Sequence, residues 1–405
     1  MSEDPAIETD NNVISNEESV RENFYDRNIN DDKIIVVRNG KTFEKRLAGY
    51  KESTPSVPEL LKMSQNKGKS FAQRVMASIR GININDGDQS PDNDFCANTF
   101  MKLTHGITAY RLLEPALVPD ELMDKLPLIV CLHGLTTASY MWADLSDLLM
   151  NCDHGPQCRV LCFDFYGHGR SPWNGVTVSL DLLVTQTKEL LDVLGFTDKQ
   201  VALIGYDYGC NIAVGFAAKY PDLCLSLSLI SPTGIKYKPL DKEKMYKRKY
   251  IGEYLMIRSK KSFANQQLRD FYNFDRSTIF YPYIRKHVTM VQWQIDNTPG
   301  YLGCILSAYR HFPLKGMEEL YSAVGRYPRK VQIFWGKNDA ICPFKKCIHR
   351  IEECFPNAEV IDIDEAGHQL LVEKFDSVAS EILGFHKKLY EEKFNNDIIV
   401  DDFGI

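Results

Sequence analysis

Short apolar runs alternate with helically spaced apolar residues over much of the chain. The alternation predicts strands at Leu128–Leu132, Val160–Phe165, Val201–Gly205, Leu223–Ile230, Val331–Trp335 and Val360–Ile363. Helical spacing is found at Thr177–Leu194, Cys210–Lys219, Cys347–Cys354 and Leu370–Leu389. Strands that are apolar throughout and separated by helices usually form a parallel sheet that is covered on both faces. We therefore predict an α/β fold with a mostly parallel central sheet.

The alternation stops between about Ser231 and Tyr327. This segment is rich in tyrosine, has helix-like spacing and is interrupted at Pro282, Pro299 and Pro313. It predicts a helical lid at 232–326, inserted over the carboxyl ends of the strands. The core would then comprise 96–231 and 327–389, followed by an acidic tail at 390–405.

An N-terminal extension, residues 1–95, precedes the predicted core. Residues 1–32 are acidic, rich in asparagine and poor in large apolar side chains, so we expect disorder. Residues 58–81 have the pattern of a basic amphipathic helix, and 82–94 read as a linker.

Composition excludes several classes of protein. The chain has 405 residues, 44% of them hydrophobic, which is enough to build a full core, and its net charge of −6 predicts no nucleic-acid binding. No apolar run reaches the length of a membrane-spanning helix, and the N-terminus lacks the pattern of a secretory signal. The eleven scattered cysteines fit a reducing compartment, so we predict a cytoplasmic protein.

One strand–turn–helix segment carries a recognisable motif. Gly205-Tyr206-Asp207-Tyr208-Gly209 joins a predicted strand to a predicted helix and reads G-x-D-x-G. In such a turn the central side chain is exposed above the sheet, and the small flanking residues let strand and helix pass closely. Asp207 is therefore a candidate nucleophile.

Further candidates also follow strand ends. A His133-Gly134 pair follows the first strong strand, so the backbone N–H groups of Leu135 and Tyr208 are candidates for an oxyanion hole. Asp339 and His368 each follow a later strand and supply an acid and a base. The chain order is nucleophile, acid, histidine.

Together these segments resemble the α/β-hydrolase fold family over about residues 100–231 and 326–388. Most members of that family have serine in the turn, and those with aspartate resemble epoxide hydrolases and haloalkane dehalogenases. The resemblance implies that Asp207 forms an ester with an alkyl carbon and that His368, oriented by Asp339, activates water to hydrolyse it. Tyr208 and Leu135 stand where dehalogenases usually have halide donors, which disfavours a dehalogenase.

The resemblance to epoxide hydrolases also implies lid tyrosines that protonate the epoxide oxygen. Tyr281 and Tyr283 are our candidates, with Tyr272, Tyr301 and Tyr309 also central in the predicted lid. His133 is a further candidate for substrate contact. We expect a small-molecule or lipid-like substrate.

Two other functions stay open. The residues that flank the turn resemble serine-type esterases and monoacylglycerol lipases, so the chain could be an ester or lipid hydrolase in which water attacks directly. It could also be a non-catalytic member that binds a ligand.

We predict no cofactor and no metal. The spacing of Cys152, His154, Cys158 and Cys162 is loosely like that of a zinc site, but there is no second ligand pair.

Basic residues are dense in the Lys236–Lys261 stretch, which has ten Lys or Arg against three acidic residues. Charged runs of this kind usually form a solvated face. Combined with the 58–81 segment, the stretch is also a candidate for peripheral contact with an anionic membrane.

Overall fold

The computed structural model describes residues 97–115, 118, 123–151, 158–237, 241–275 and 281–394, with the backbone of two further strands. It divides into two compact units, residues 1–60 and 61–405. In the first unit, β1 (Lys33–Arg38) and β2 (Lys41–Arg46) form an antiparallel hairpin that the sequence analysis did not predict. The predictions for 1–32, 58–81, 82–94 and 395–405 lie outside the described residues.

An eight-stranded, mostly parallel sheet forms the centre of the second unit, as predicted. Its strand order is β10-β9-β8-β7-β5-β6-β4-β3. Only the pairs β3–β4 and β4–β6 among these strands are antiparallel. The strands are β3 (Thr99–Leu103), β4 (Gly106–Leu113), β5 (Leu128–Leu132), β6 (Arg159–Phe163), β7 (Val201–Tyr206), β8 (Cys224–Ile230), β9 (Lys330–Gly336) and β10 (Glu359–Ile363).

The register of the central strands brings their carboxyl ends to one edge. Leu132 of β5 pairs with Gly205 of β7, and Ile230 of β8 pairs with both Tyr206 and Phe334. Strands β5, β7 and β8 are buried along their whole length, because helices cover both faces of the sheet. The loops that follow these strands therefore converge above the sheet.

Helices fall into two groups. Those packed with the sheet are α1 (Ala143–Asn151), α2 (Leu180–Val193), α3 (Tyr208–Lys219), α10 (Phe344–Cys354), α11 (Leu370–Glu373) and α12 (Phe375–Phe394). Those between β8 and β9 are α4 (Asp241–Lys247), α5 (Ile251–Ser259), α6 (Phe263–Gln266), α7 (Tyr281–Asn297), α8 (Tyr301–His311) and α9 (Glu318–Gly325). Short 3₁₀ turns lie at Ser139–Trp142, Pro221–Leu223 and Gln267–Asp270.

The segment between β8 and β9, hereafter the helical insertion, contains no strand among its described residues. Pro282 is the second residue of α7, where its missing N–H costs nothing. Pro299 separates α7 from α8, and Pro313 follows α8. The three prolines that the sequence analysis treated as breaks thus lie at helix boundaries.

No described helix combines the length and the apolar character needed to cross a bilayer.

Two helix boundaries have clear local features. Helix α2 begins at Leu180, where the side chain of Ser179 accepts a hydrogen bond from the backbone N–H of Leu182 at 3.1 Å. The predicted closing helix is divided at Lys374 into α11 and α12, and α12 runs on to Phe394.

Candidate functional site

Asp207 lies in a strained turn between β7 and α3. Its φ is 52° and its ψ is −116°, a conformation that non-glycine residues rarely adopt. A Cβ on Gly209 would lie 2.0 Å from the carbonyl oxygen of Leu132, and one on Gly205 would lie 2.7 Å from that of Gly209. The two glycines are therefore required for close packing of strand against helix.

The carboxylate of Asp207 has two different neighbours. Its Oδ2 accepts a hydrogen bond from the backbone N–H of Leu135 at 2.9 Å. Its Oδ1 lies 3.3 Å from Nε2 of His368, within ion-pair distance but without the alignment of a hydrogen bond. The side chain of Asp207 is 16% exposed, so the carboxylate is the most accessible of the three predicted catalytic groups.

His368 lies between two carboxylates. Its Nδ1 is 2.7 Å from Oδ2 of Asp339, whose Oδ1 accepts hydrogen bonds from the backbone N–H groups of Ile341 and Cys342, each at 2.8 Å. Burial by itself lowers the pKa of His368, but Asp339 and Asp207 outweigh burial and hold that pKa well above its usual value. The structure thus brings the three predicted catalytic side chains into one connected group.

The loop that carries His368 is held from several sides. Ser231, which follows β8, donates from its hydroxyl to the carbonyl of His368 at 2.9 Å. The backbone N–H of Gly367 donates to the buried carboxylate of Glu373 at 2.9 Å, and the same carboxylate accepts from the N–H of Tyr272 at 2.6 Å. Glu373 therefore connects the histidine loop to the helical insertion.

The ring of His133 is engaged beneath the loop that carries Leu135. It is fully buried, its Nε2 accepts from the backbone N–H of Phe165 at 3.0 Å, and its Nδ1 lies 2.8 Å from the carbonyl of Gly134. These contacts require a neutral ring with the proton on Nδ1, and burial lowers the pKa of His133 accordingly. Both nitrogens are occupied by backbone, so the ring positions the loop and offers a substrate no free nitrogen.

The other predicted contact residues differ in their surroundings. Tyr208 is completely buried, with its ring 4.3 Å from that of Phe312, and its backbone N–H directly follows the Asp207 turn. Tyr281 is half-buried at the start of α7, and Tyr283 is 57% exposed. Tyr301 instead donates from its hydroxyl to the carbonyl of Thr136 at 2.8 Å, beside Leu135.

Asp270, which sequence reasoning missed, is a neighbour of the three predicted catalytic side chains. The Gln267–Asp270 turn spans the site: Oγ1 of Thr136 donates to Oε1 of Gln267 at 3.2 Å, and the N–H of His368 donates to the carbonyl of Asp270 at 2.8 Å. Burial raises the pKa of the Asp270 carboxyl to about 7, with Asp207 and Asp339 acting in the same direction and His368 opposing them. No motif surrounds Asp270, so the sequence contained no signal for it.

Among the described residues, no cluster of three His, Cys, Asp or Glu side chains is arranged to hold a metal ion. Cys158 and Cys162 are buried thiols, whereas Cys152 and His154 lie outside the described residues. The site consists of ionisable side chains and backbone donors, a set suited to nucleophilic and acid–base chemistry.

Comparison with known proteins identifies the family. A family model for the alpha/beta hydrolase fold matches residues 127–375, which contain strands β5 to β10, the helical insertion and all three catalytic candidates. The chain belongs to the α/β-hydrolase fold family.

Two curated relatives differ in the extent of the match. Monoacylglycerol lipase ABHD6 of Bos taurus is 21% identical over 271 residues, covering 64% of this chain and 75% of the lipase. Epoxide hydrolase 4 of Mus musculus is 32% identical over 107 residues, covering 26% of this chain and 28% of that protein. For several relatives the matched part is less than half of the relative, from 28% to 49%.

Solved structures reproduce the fold. A thermophilic esterase from Thermogutta terrifontis superposes with a TM-score of 0.57 at 19% identity, covering 72% of this chain and 99% of the esterase. At this identity the likeness establishes the architecture and leaves the chemistry to the residues of the site.

Proposed function

We propose that the protein is a hydrolase that forms a covalent ester at Asp207, with chemistry like that of an epoxide hydrolase. The observation that carries the proposal is that the two oxygens of the Asp207 carboxylate have different neighbours. Oδ2 accepts the N–H of Leu135 at 2.9 Å while Oδ1 is directed toward His368 at 3.3 Å. One oxygen is thus placed in an anion-stabilising position and the other is left to attack.

A carboxylate nucleophile favours some substrates over others. Attack on an acyl carbon would give a high-energy anhydride, whereas attack on a saturated carbon gives an ordinary ester. In the first step Oδ1 attacks a ring carbon of the epoxide and the ring C–O bond breaks. The released oxygen takes a proton from Asp270, whose pKa of about 7 leaves much of it protonated near neutral pH.

Hydrolysis of the ester uses the rest of the group. Neutral His368 takes a proton from water at Nε2, and the hydroxide adds to Cγ of Asp207. The negative charge that forms on Oδ2 is stabilised by the N–H of Leu135. The intermediate then expels the alkoxide, which takes the proton back from His368, and the Asp207 carboxyl returns its proton to Asp270 by way of solvent.

Esterification itself would prepare His368 for this role. The ester carries no charge, so one of the two carboxylates that raise the pKa of His368 is removed. The pKa of the ring then falls, its Nε2 proton is released to solvent, and Nε2 becomes able to accept a proton. Asp339 keeps Nδ1 protonated and the ring oriented.

A second candidate is ester or lipid hydrolysis by direct attack of water activated by His368. The longer of the two matches to curated relatives favours this candidate. It is the match to monoacylglycerol lipase, and it covers 64% of this chain. In this mechanism neutral His368 takes a proton from the attacking water at Nε2, and Asp207, 3.3 Å away, stabilises the charged ring that results and forms no covalent bond.

Isotope labelling separates the two candidates. The purified protein is first screened on a panel of aryl and fatty epoxides and of short and long acyl esters, and its substrate is then turned over once in ¹⁸O-labelled water. Covalent chemistry places ¹⁸O in the peptide that contains Asp207, because hydrolysis of the ester exchanges a carboxylate oxygen. Direct attack by water places it in the product.

Two variants complete the design. Asp207→Ala should abolish both turnover and labelling, whereas Asp181→Asn, at a carboxylate exposed on α2, should preserve both. Turnover without label in Asp207 would reject the ester intermediate and favour the second candidate. Ligand binding with no turnover across the panel would favour a non-catalytic member of the family.

A further inference from the structure

Exposed apolar side chains are concentrated on one part of the helical insertion. Of the eleven large hydrophobic side chains that are exposed in the described part of the chain, five lie between residues 245 and 257. They are Met245, Tyr250, Ile251, Tyr254 and Ile257, which we call the α5 outer face. Single exposed apolar residues are ordinary, but a contiguous group points to a contact surface.

Helix α5 is oriented with its apolar residues toward solvent. Ile251, Tyr254 and Ile257 recur at every third position, so they share one side of the helix, and they are 38%, 58% and 37% exposed. The opposite side buries Gly252, Glu253 and Met256. An acidic residue thus faces the protein while isoleucines face outward, the reverse of the usual arrangement.

Arg310 of α8 fixes this orientation. Its guanidinium binds both carboxylate oxygens of Glu253 at 2.8 Å. It also donates to the carbonyl of Tyr246, in the last turn of α4, and to that of Arg248, in the α4–α5 connection. A Cβ on Gly252 would lie 2.2 Å from the carbonyl of Tyr246. The helix therefore cannot rotate to bury its apolar side without breaking a buried ion pair.

Tyr250 adds backbone strain to the exposed group. It precedes α5 with a φ of 65° and a ψ of −38°, a region that bulky residues rarely enter, yet its ring is 55% exposed. Such a conformation costs about 1–3 kcal/mol. Packing of the Tyr250 side chain does not offset this cost, because most of the ring is exposed. The conformation does hold an aromatic ring at the surface beside Lys249, whose Nζ is 5.2 Å from the ring centre.

Cations surround the α5 outer face. Between residues 244 and 261 the one acidic residue is Glu253, which is buried against Arg310. Seven basic side chains in the same stretch are exposed: Lys244, Lys247, Arg248, Lys249, Arg258, Lys260 and Lys261. Protein–protein interfaces are depleted in lysine, whereas apolar and aromatic side chains framed by Lys and Arg suit the boundary of an anionic bilayer.

We propose that the α5 outer face, with its surrounding cations, docks the protein on the surface of an anionic lipid bilayer. The isoleucines, Met245 and the two tyrosines enter the headgroup boundary, and the lysines and arginines contact acidic headgroups. The proposal is independent of the chemistry assigned to Asp207.

Vesicle binding of the full chain tests the proposal. Sedimentation with phosphatidylcholine vesicles is compared with sedimentation with vesicles that contain about 30 mol % phosphatidylserine. We expect binding to the anionic vesicles that weakens as salt rises, because the cations contribute through screened charges. Absence of binding to anionic vesicles, or equal binding to both kinds, would overturn the proposal.

Matched variants assign the binding to this surface. Ile251→Ser/Tyr254→Ser/Ile257→Ser and Lys247→Gln/Lys249→Gln/Arg258→Gln should each weaken binding at least about tenfold. The controls remove equally exposed residues elsewhere: Phe100→Ser/Leu148→Ser/Tyr327→Ser and Lys345→Gln/Lys387→Gln/Lys388→Gln. Circular dichroism confirms folding, and turnover of a soluble substrate should be unchanged.

Two results would assign the surface differently. If the apolar variant binds vesicles as the wild type does, another segment of the chain holds the membrane and the proposal is wrong. If the wild type instead self-associates during gel filtration and the apolar variant is monomeric, the surface is an interface between copies of the chain.

Discussion

The backbone N–H of Leu135 donates a hydrogen bond to Oδ2 of Asp207 over 2.9 Å, joining two loops that are 72 residues apart in the chain. The contact exists because Leu132 and Gly205 are paired at the ends of adjacent parallel strands. It places a carboxylate oxygen against a backbone donor in the position where ester hydrolysis would develop negative charge.

Asp339→Asn should stop ester hydrolysis while leaving ester formation possible. The amide oxygen can still accept from Ile341 and Cys342, so the amide NH₂ would face Nδ1 of His368. The ring proton is then forced to Nε2, which can no longer accept a proton from water. We expect hydrolysis to slow by about 10⁴-fold. Rapid-quench mass spectrometry should show the alkylated protein accumulating.

Asp364→Asn is the matched control, because Asp364 follows β10 as Asp339 follows β9, but it is 79% exposed and contacts Lys337. It should turn over normally. If Asp339→Asn hydrolyses the ester at the wild-type rate, the assignment of Asp339 as the residue that orients His368 is wrong.

Asp270→Asn should change the pH profile of ester formation. The carboxyl of Asp270 is protonated below its raised pKa of about 7, so the wild-type rate should fall as pH increases through that value. The amide cannot ionise, so the variant should be slower and should lack this fall. Single-turnover rates between pH 5 and 9 check the prediction, and Asp296→Asn on α7 is the control.

The same substitution should change stability in a defined direction. Because the pKa of Asp270 is raised in the folded state, its stabilising contribution is present below the ordinary carboxyl pKa and lost as pH rises toward about 7. Relative to the wild type, Asp270→Asn should therefore gain stability with increasing pH over this range. A difference in unfolding free energy that does not depend on pH would contradict the assigned ionisation.

Sequence reasoning predicted that Asp207, Asp339 and His368 lie together because each follows a strand that is visible as an apolar run, and the distances between them agree with this. Asp207 was chosen from the G-x-D-x-G turn, and Asp339 and His368 from their positions after later strands and the chain order of the three. The rule that parallel strands end at one edge then predicts that they meet. Asp270 and Glu373 were missed because their place depends on how the helical insertion folds back over the site, and no local pattern encodes that contact.

Two further differences have physical causes of their own. The β3–β4 hairpin was not predicted, since β3 is short and only Met101 and Leu103 of its five residues are buried. The orientation of α5 was beyond prediction as well, because it is set by Arg310, which lies 57 residues from Glu253 in the chain.

Gly209→Ala should destabilise the whole fold. Its Cβ would lie 2.0 Å from the backbone oxygen of Leu132, and neither β5 nor α3 can move without disturbing the buried sheet. We expect a loss of roughly 2–4 kcal/mol in unfolding free energy, measured by denaturant titration. Gly384→Ala on α12, where nothing lies within 4 Å, should instead be neutral or slightly stabilising. Equal effects of the two changes would refute the steric account.

Arg310→Met should loosen the α4–α5 region, because it leaves the carboxylate of Glu253 buried without its partner. Removing one member of such a pair costs about 3–5 kcal/mol, whereas replacing both with apolar residues is often nearly neutral. We therefore expect Arg310→Met/Glu253→Leu to recover most of the stability.

The contribution of the pair should also depend on pH. Arg310 lowers the pKa of Glu253, so the pair stabilises the fold above the ordinary carboxyl pKa, and this contribution is lost as pH falls through the lowered pKa. Hydrogen exchange should show faster exchange across 241–259 in the single variant and near-normal exchange in the double variant. Equal loosening in both would show that Arg310 acts through its hydrogen bonds to the carbonyls of Tyr246 and Arg248, and not through charge.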